Sequence, residues 1–454
     1  MMALKSERKT MLRAFFPLLV AVALQMMLSL TVNLVDNFML GQYSENAMSG
    51  ASLVNQLQFI LQQVMAGIGG GVAVLGAQYW GKGQTEPIKR IISVGLKFGI
   101  LAGGIMLLLT SIIPGQIMGL LTSDQTIIAE ACDYLDVMRF TYIIYGASAV
   151  LMYSMMSVET AFIGTVMSAM TIGINAILNY TFIYGNFGAP EMGIKGAAYA
   201  TMVSRIVELI TIVVYIRFVD KKLKAKLSEI LRFDFEYLRD YLKVAMPVVI
   251  SGLIWGVAQF TQTAILGNMH DQAAEVIGAN SIATVVYSLF ACFGFACSNA
   301  ASVTIGKTVG MGRKDLVISH AKTLQIIFLI IGGITGLMIF LCKDMIVGLY
   351  NVSDATRALT VQFLTVLSVA TIGSCYEFPV MCGIIAGGGN TRYAPIVDTL
   401  FMWLWVIPMS YASAYVFGWP PLVTFIFLKS DQIIKCIPNA IVCNRFRWIR
   451  DLTR

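Results

Sequence analysis

Residues 14–40 read AFFPLLVAVALQMMLSLTVNLVDNFML, and this stretch decides the class of the chain. It is predominantly apolar over a length that crosses the roughly 30 Å hydrocarbon core of a bilayer as a helix. Near its end stands Asp36. A carboxylate at membrane depth costs about 2.5–3.5 kcal/mol on insertion scales, so such a residue normally faces a bundle interior and marks an ion or solute path. Gln25, Ser29, Asn33 and Asp36 follow one another at offsets of 4, 4 and 3, which puts them on one helix face. A lone interfacial Asp would snorkel to the headgroups, and that does not account for the polar stripe beneath it.

Composition extends this reading to the whole chain. Of 454 residues, 57% are hydrophobic and 13% charged, against about 25% charged in a soluble domain. Stretches of helical length cover residues 14–40, 53–79, 91–113, 134–156, 161–183 and 196–216, then 244–266, 276–303, 324–342, 361–385, 393–416 and 422–442. Backbone groups in lipid must be satisfied within each segment, and no strand-like alternation is visible, so these are read as α-helices. The expected fold is an all-α membrane protein of about twelve transmembrane helices in two pseudo-symmetric six-helix lobes.

The net charge of +7 belongs to topology and not to a nucleic-acid site, because Lys and Arg sit in short loops between apolar runs. Lys82, Lys89 and Arg90 follow span 2, eight basic residues lie from Arg217 to Lys243, and Lys307, Arg313, Lys314 and Lys322 follow span 8. Arg392 follows span 10, and four arginines close the chain after span 12. The loops after odd spans are poor in basic residues, with Lys195, Lys343 and Arg357 as the main exceptions. Both termini are therefore expected to be cytoplasmic in a multi-pass protein of the cell (plasma or inner) membrane.

The halves repeat. Phe16-Pro17 opens span 1 and Met246-Pro247 opens span 7, while Leu40-Gly41 and Leu266-Gly267 close them. Gly81-Lys82-Gly83 follows span 2 as Gly310-Met311-Gly312 follows span 8. The organisation read from this is an amino-terminal lobe over 1–216, a cytoplasmic linker over 217–243 and a carboxy-terminal lobe over 244–454. Six spans return the chain to its starting side, so the repeats run in parallel and a carried solute is expected at the cleft between them.

Further polar stripes have helical offsets: Asn55, Gln58 and Gln62 on span 2, Ser168, Thr171, Asn175 and Asn179 on span 5, and Ser251, Trp255, Gln259 and Gln262 on span 7. One such stripe is ordinary interhelical glue; several beside a buried carboxylate favour a wet cavity. Arg205 and Glu208, one turn apart on span 6, are expected to neutralise each other. Glu377 precedes Phe378-Pro379, where the proline should break or bend span 10, and discontinuous helices frame binding sites in carriers. Asp398 and Asp431 are deep but suggest no role. The eight cysteines form no CxxC pair and there are two histidines, so neither a metal cluster nor a disulfide framework is expected. The basic start leads into a span too long for a signal-peptide core. The glycine runs at 69–71 and 387–389 lack the Lys and Ser/Thr of a phosphate-binding loop, and no H-E-x-x-H or G-x-S-x-G occurs. An enzyme is not expected, and an ion gradient is the expected energy source.

Val32-Asn33-Leu34-Val35-Asp36, Gln78-Tyr79-Trp80-Gly81-Lys82-Gly83 and Leu178-Asn179-Tyr180 with Phe182-Ile183-Tyr184-Gly185 resemble the multidrug and toxic compound extrusion (MATE) family. So do Gly193-Ile194-Lys195-Gly196-Ala197-Ala198-Tyr199-Ala200-Thr201 and Gly388-Gly389-Asn390-Thr391-Arg392, with Asp398, Trp403 and Pro408 beyond. The resemblance runs in order through nearly the whole chain. It implies two six-helix lobes and export of amphipathic, often cationic compounds against entry of Na⁺ or H⁺. By position, Asp36 corresponds to the family's amino-terminal acidic cation residue, Asn175 and Asn179 to its helix 5 pair, and Thr201 to its helix 6 hydroxyl. The second member of that pair is often Asp where this chain has Asn179. Ser251-Gly252 stands where some members carry Asn-Glu, and Ala386 and Asn390 replace a basic residue and an Asp around the glycine run.

The expected function is a cation-coupled antiporter working by alternating access. A buried carboxylate at Asp36 can be neutralised by a proton, or by Na⁺ with oxygens from Asn175, Asn179 and Thr201, and the sequence leaves both open. The substrate-cavity candidates are Gln25, Ser29, Asn33, Asn55, Gln58, Trp255, Gln259, Gln262 and Glu377. Expected partners are a small organic cationic or amphipathic substrate and membrane lipid, with the chain a monomer, without nucleic acid, cofactor, or metal beyond Na⁺ at Asp36. The alternative is a flippase for lipid-linked saccharides, which would need a more cationic cavity than these spans offer. A cysteine introduced at Lys224 in a cysteine-free background should react only from the cytoplasm, and one at Asp271 only from outside; the reverse labelling at either site contradicts the topology.

Overall fold

The computed structural model describes residues 2–121, 124–224, 226–231, 236–267, 273–348 and 353–453; Asp271 and the side chain of Asn33 fall outside them. Every regular element among the described residues is helical. Among the described residues nine helices are long and apolar enough to cross a membrane, or ten if the bent pair Gln125–Met138 and Thr141–Ser157, meeting at 55°, counts as one span. Two expected spans take other forms. Span 6 is the helix Gly193–Val214, whose Lys195, Arg205 and Glu208 dilute its apolar character. Span 12 is three consecutive short helices, Pro421–Lys429, Asp431–Ile434 and Cys436–Arg445. Pro438 has no N–H to give the carbonyl of Ile434, where the middle piece ends, so one helix hydrogen bond is missing at that break.

Other prolines act more gently. Span 10 does not stop at Pro379: the helix Asp354–Phe378 runs directly into a π-helical segment, Pro379–Ile385. Widening the turn is an alternative to a break when a proline removes one donor. The helix expected from residue 244 starts earlier, at Leu238, and contains Pro247.

The described chain forms two compact units, one of Leu24–Val249 and one of Met1–Ala23 with Ile250–Arg454. In the first, Tyr241 is buried and donates its hydroxyl to the carbonyl of Ile68 at 2.7 Å, so the end of the charged segment belongs to that unit's packing. In the second, Phe363 and Phe425 stack with ring centroids 4.0 Å apart in the main apolar cluster. Ile326, Ile330, Ile334, Leu337 and Leu341 are exposed along one face of Lys314–Gly348 at offsets of 4, 4, 3 and 4. That is a lipid-facing stripe.

Small residues let backbones touch where the interior is polar. Thr85–Ile112 and Thr141–Ser157 meet at Gly99 and Gly146, where a Cβ on either would lie within 2.5 Å of the other's carbonyl oxygen. Gly373 admits the carbonyl of Gln432, which a Cβ would meet at 2.3 Å, and so seats span 12 against span 10. Gly146→Leu should therefore destabilise the purified protein by at least about 1–3 kcal/mol in thermal unfolding. Gly104→Leu, where nothing lies within 4 Å, should be near neutral. Equal effects of the two would contradict this packing.

Candidate functional site

In the Leu24–Val249 unit, three helices bring Asp36, Asn175, Asn179 and Thr201 together. The i, i+4 spacing on Phe162–Tyr184 stacks the two asparagines on one face. Asn179 Nδ2 donates to Asp36 Oδ1 at 2.5 Å and to Asn175 Oδ1 at 3.1 Å. Asn175 Nδ2 reaches Thr201 Oγ1 on Gly193–Val214 at 3.4 Å. Asp36, Asn175 and Asn179 are 7%, 1% and 0% exposed. The Tyr184 hydroxyl bonds the Met39 carbonyl at 2.7 Å, pinning the first helix beside the fifth span.

Charge and valence are both left over at this point. Arg205 is close enough for its charge to act on Asp36, but it is already paired with Glu208 at 2.7 Å and stacked over Tyr145. The Asp36 carboxylate therefore meets neutral amides as its direct partners. Asn179 Oδ1 is buried with no hydrogen-bond partner. A carboxylate, an unpartnered amide oxygen and a hydroxyl within one buried cluster form a donor set that suits a hard monovalent cation, and the carboxylate alone suits a proton. Tyr134, buried and close to both Thr201 and Asp36, belongs to the same cluster.

The other candidates are dispersed. Gln25 packs against Gly164 of the fifth span, and the exposed Ser29 lies 3.5 Å from Ser168 on the same span. Asn55 is half-buried, and Gln58 is buried with an unpartnered Oε1. In the second unit, Trp255 and Gln259 are half-buried, while buried Gln262 bonds Met402 Sδ at 3.2 Å.

Glu377 lies in a second polar cluster. Lys435 Nζ is 2.9 Å from Asp431, 3.1 Å from Asp398 and 3.9 Å from Glu377. Ser251 donates to the other oxygen of Asp398 at 3.0 Å, and Asn439 Nδ2 lies 3.4 Å from Glu377 Oε2. The Tyr393 hydroxyl orients Asn439 at 2.8 Å.

A family model described as MatE matches residues 21–181 and, a second time, residues 247–412. The chain belongs to the MatE family. It is 25% identical over 447 residues to the "Probable multidrug resistance protein NorM" of Thermotoga maritima, across 97% of this chain and 93% of that one. Its fold is that of solved MATE structures. A MATE in complex with MaL6 superposes with a TM-score of 0.86 at 17% identity over 96% of each chain. An outward-facing multidrug resistance MATE family transporter of the MOP superfamily gives 0.83 at 18% identity over 95% of each.

Within this MatE chain, the periodic asparagines point to the amino-terminal cluster, whereas Tyr134, in the first helix of a broken span, carries no such periodic signal. Lys435 is likewise hidden, in a stretch counted as apolar. The signal available for it was the Asp431/Lys435 spacing of i, i+4, which places opposite charges on one helix face. Asp398 and Asp431 acquire a partner that the sequence reading did not give them.

Proposed function

We propose that the chain is a cation-coupled antiporter that exports amphipathic, often cationic compounds by alternating access, with H⁺ or Na⁺ entering at Asp36. The observation that carries this reading is that, among the described residues, the hydrogen-bond partners of the buried Asp36 carboxylate are neutral, Asn179 and through it Asn175 and Thr201, while Arg205, whose charge also reaches Asp36, is paired with Glu208. A membrane protein keeps an uncompensated carboxylate at a cost, and an exchangeable cation is the partner that offsets it. Membership in a transporter family and the multidrug resistance names of relatives support the export class. Gln25, Ser29, Asn55 and Gln58 would line the solute path on the amino-terminal side. A pyrophosphate-carrying flippase is less well served, because half-buried Arg205 and buried Lys435 are both engaged by carboxylates.

Efflux of a dye panel from proteoliposomes, with Na⁺ and H⁺ gradients imposed separately, tests the reading. Asp36→Asn should abolish gradient-driven efflux while leaving a folded, monodisperse protein, since the amide keeps the shape and removes the charge. Asn175→Ala and Asn179→Ala should cut Na⁺-driven efflux by about tenfold or more if Na⁺ is the driver, a loss of roughly 1.4 kcal/mol in ion binding, and change efflux less if H⁺ is. Gradient-dependent efflux at wild-type rate in Asp36→Asn would remove Asp36 from the mechanism.

A further inference from the structure

The second cluster has a composition that an ordinary structural ion pair does not need. A buried ion pair requires one carboxylate per ammonium, yet here three surround one. They come from three different spans: Glu377 from span 10, Asp398 from span 11 and Asp431 from span 12. The Lys435 side chain is 5% exposed, and those of Glu377, Asp398 and Asp431 are 7%, 13% and 8% exposed. An ammonium has three N–H donors, a compact charge and no acceptor, so it presents to oxygen ligands much what a monovalent metal ion does. Its Nζ lies within 4 Å of all three carboxylates. Ser251 and Asn439 hold the outer oxygens of Asp398 and Glu377, which leaves the inner oxygens turned to Nζ.

We propose that Lys435 is an ion-selectivity residue: its ammonium occupies the cation position of a three-carboxylate site in the carboxy-terminal unit and closes that site to Na⁺. The tether is covalent, so this cation cannot be exchanged, whereas the Asp36 cluster contains no such resident charge. Asp431 and Lys435 share one helix face, and Gly373 brings that face close to span 10, so the backbone itself delivers the ammonium to the site. The difference between the two units follows: both gather oxygen ligands, and one already contains its cation. Removing the charge of Lys435 while keeping its bulk should therefore create a Na⁺ site where none existed. The inference rests on the Asp36 reading only in using Asp36→Asn to silence the other cluster.

The test is Na⁺-specific thermal stabilisation of the purified full-length protein, measured against choline chloride at equal ionic strength, with radioactive Na⁺ binding alongside. Asp36→Asn should show neither stabilisation nor bound Na⁺. Asp36→Asn/Lys435→Met, or with Lys435→Gln should the Met variant not fold, should gain a saturable Na⁺-dependent rise of several degrees. Adding Asp398→Asn should abolish that gain, and Lys435→Arg should not produce it. A merely structural lysine would give destabilised variants that Na⁺ does not rescue, and that result in folded protein overturns the proposal. So does Na⁺ bound by Asp36→Asn with native Lys435 that is lost on adding Asp398→Asn, a measurement that needs no change at Lys435. Na⁺ binding in Asp36→Asn that is indifferent to Asp398→Asn would instead refute the Asp36 assignment and leave this proposal to be decided by the Lys435 variants.

Discussion

A charge buried at membrane depth must find its partner inside the protein, and the internal architecture of this chain is arranged by that requirement. Arg205 and Glu208 settle it between themselves on one helix turn. Lys435 is shared among carboxylates delivered by three spans. Among the described residues Asp36 is hydrogen-bonded by a side-chain amide, which lowers the cost of burial without cancelling the charge. The Asp36 and Lys435 clusters each join different spans, so the electrostatics also shape the packing within each unit.

Close backbone contact is what allows those partners to meet. Without a hydrophobic force between helices in lipid, approach depends on small residues and interhelical hydrogen bonds. Gly373 against the Gln432 carbonyl, and Tyr184 on the Met39 carbonyl, act immediately beside the two charged clusters. Departures from ideal helix occur near the same places. The π-helical segment from Pro379 begins two residues after Glu377, and span 12 is interrupted at Ser430, just before Asp431, and at Lys435 itself. Irregular backbone at membrane depth is tolerated where protein surrounds it; the Pro379–Ile385 stretch is largely buried, and span 12 buries the face that carries Asp431, Lys435 and Asn439 while Ile433 and Ile437 stay exposed.

Much of this was legible in the sequence because membrane helices announce themselves by length and apolarity. The stripe ending at Asp36 and the Asn175/Asn179 spacing were readable for the same reason: a polar residue in such a stretch stands out. The bend in span 4, the start of span 7 at Leu238 and the division of span 12 were not readable, since they depend on local geometry that hydropathy averages away. Lys435 illustrates the limit best. Its significance lies in Glu377 and Asp398, 58 and 37 residues distant in sequence, and no periodicity within one helix reveals a partner on another. The repeat, in contrast, was visible at short motifs and reappears in the two matches to one family model.

The account centres on Asp36 as a carboxylate neutralised by an exchangeable cation. The ion-induced infrared difference spectrum of the purified protein, recorded on changing pH or adding Na⁺, addresses this directly through the carboxyl bands. A carboxyl signal that disappears in Asp36→Asn and shifts in Asn179→Ala is the expected result. A carboxyl signal unchanged in Asp36→Asn would show that the exchangeable cation resides elsewhere and would contradict the account.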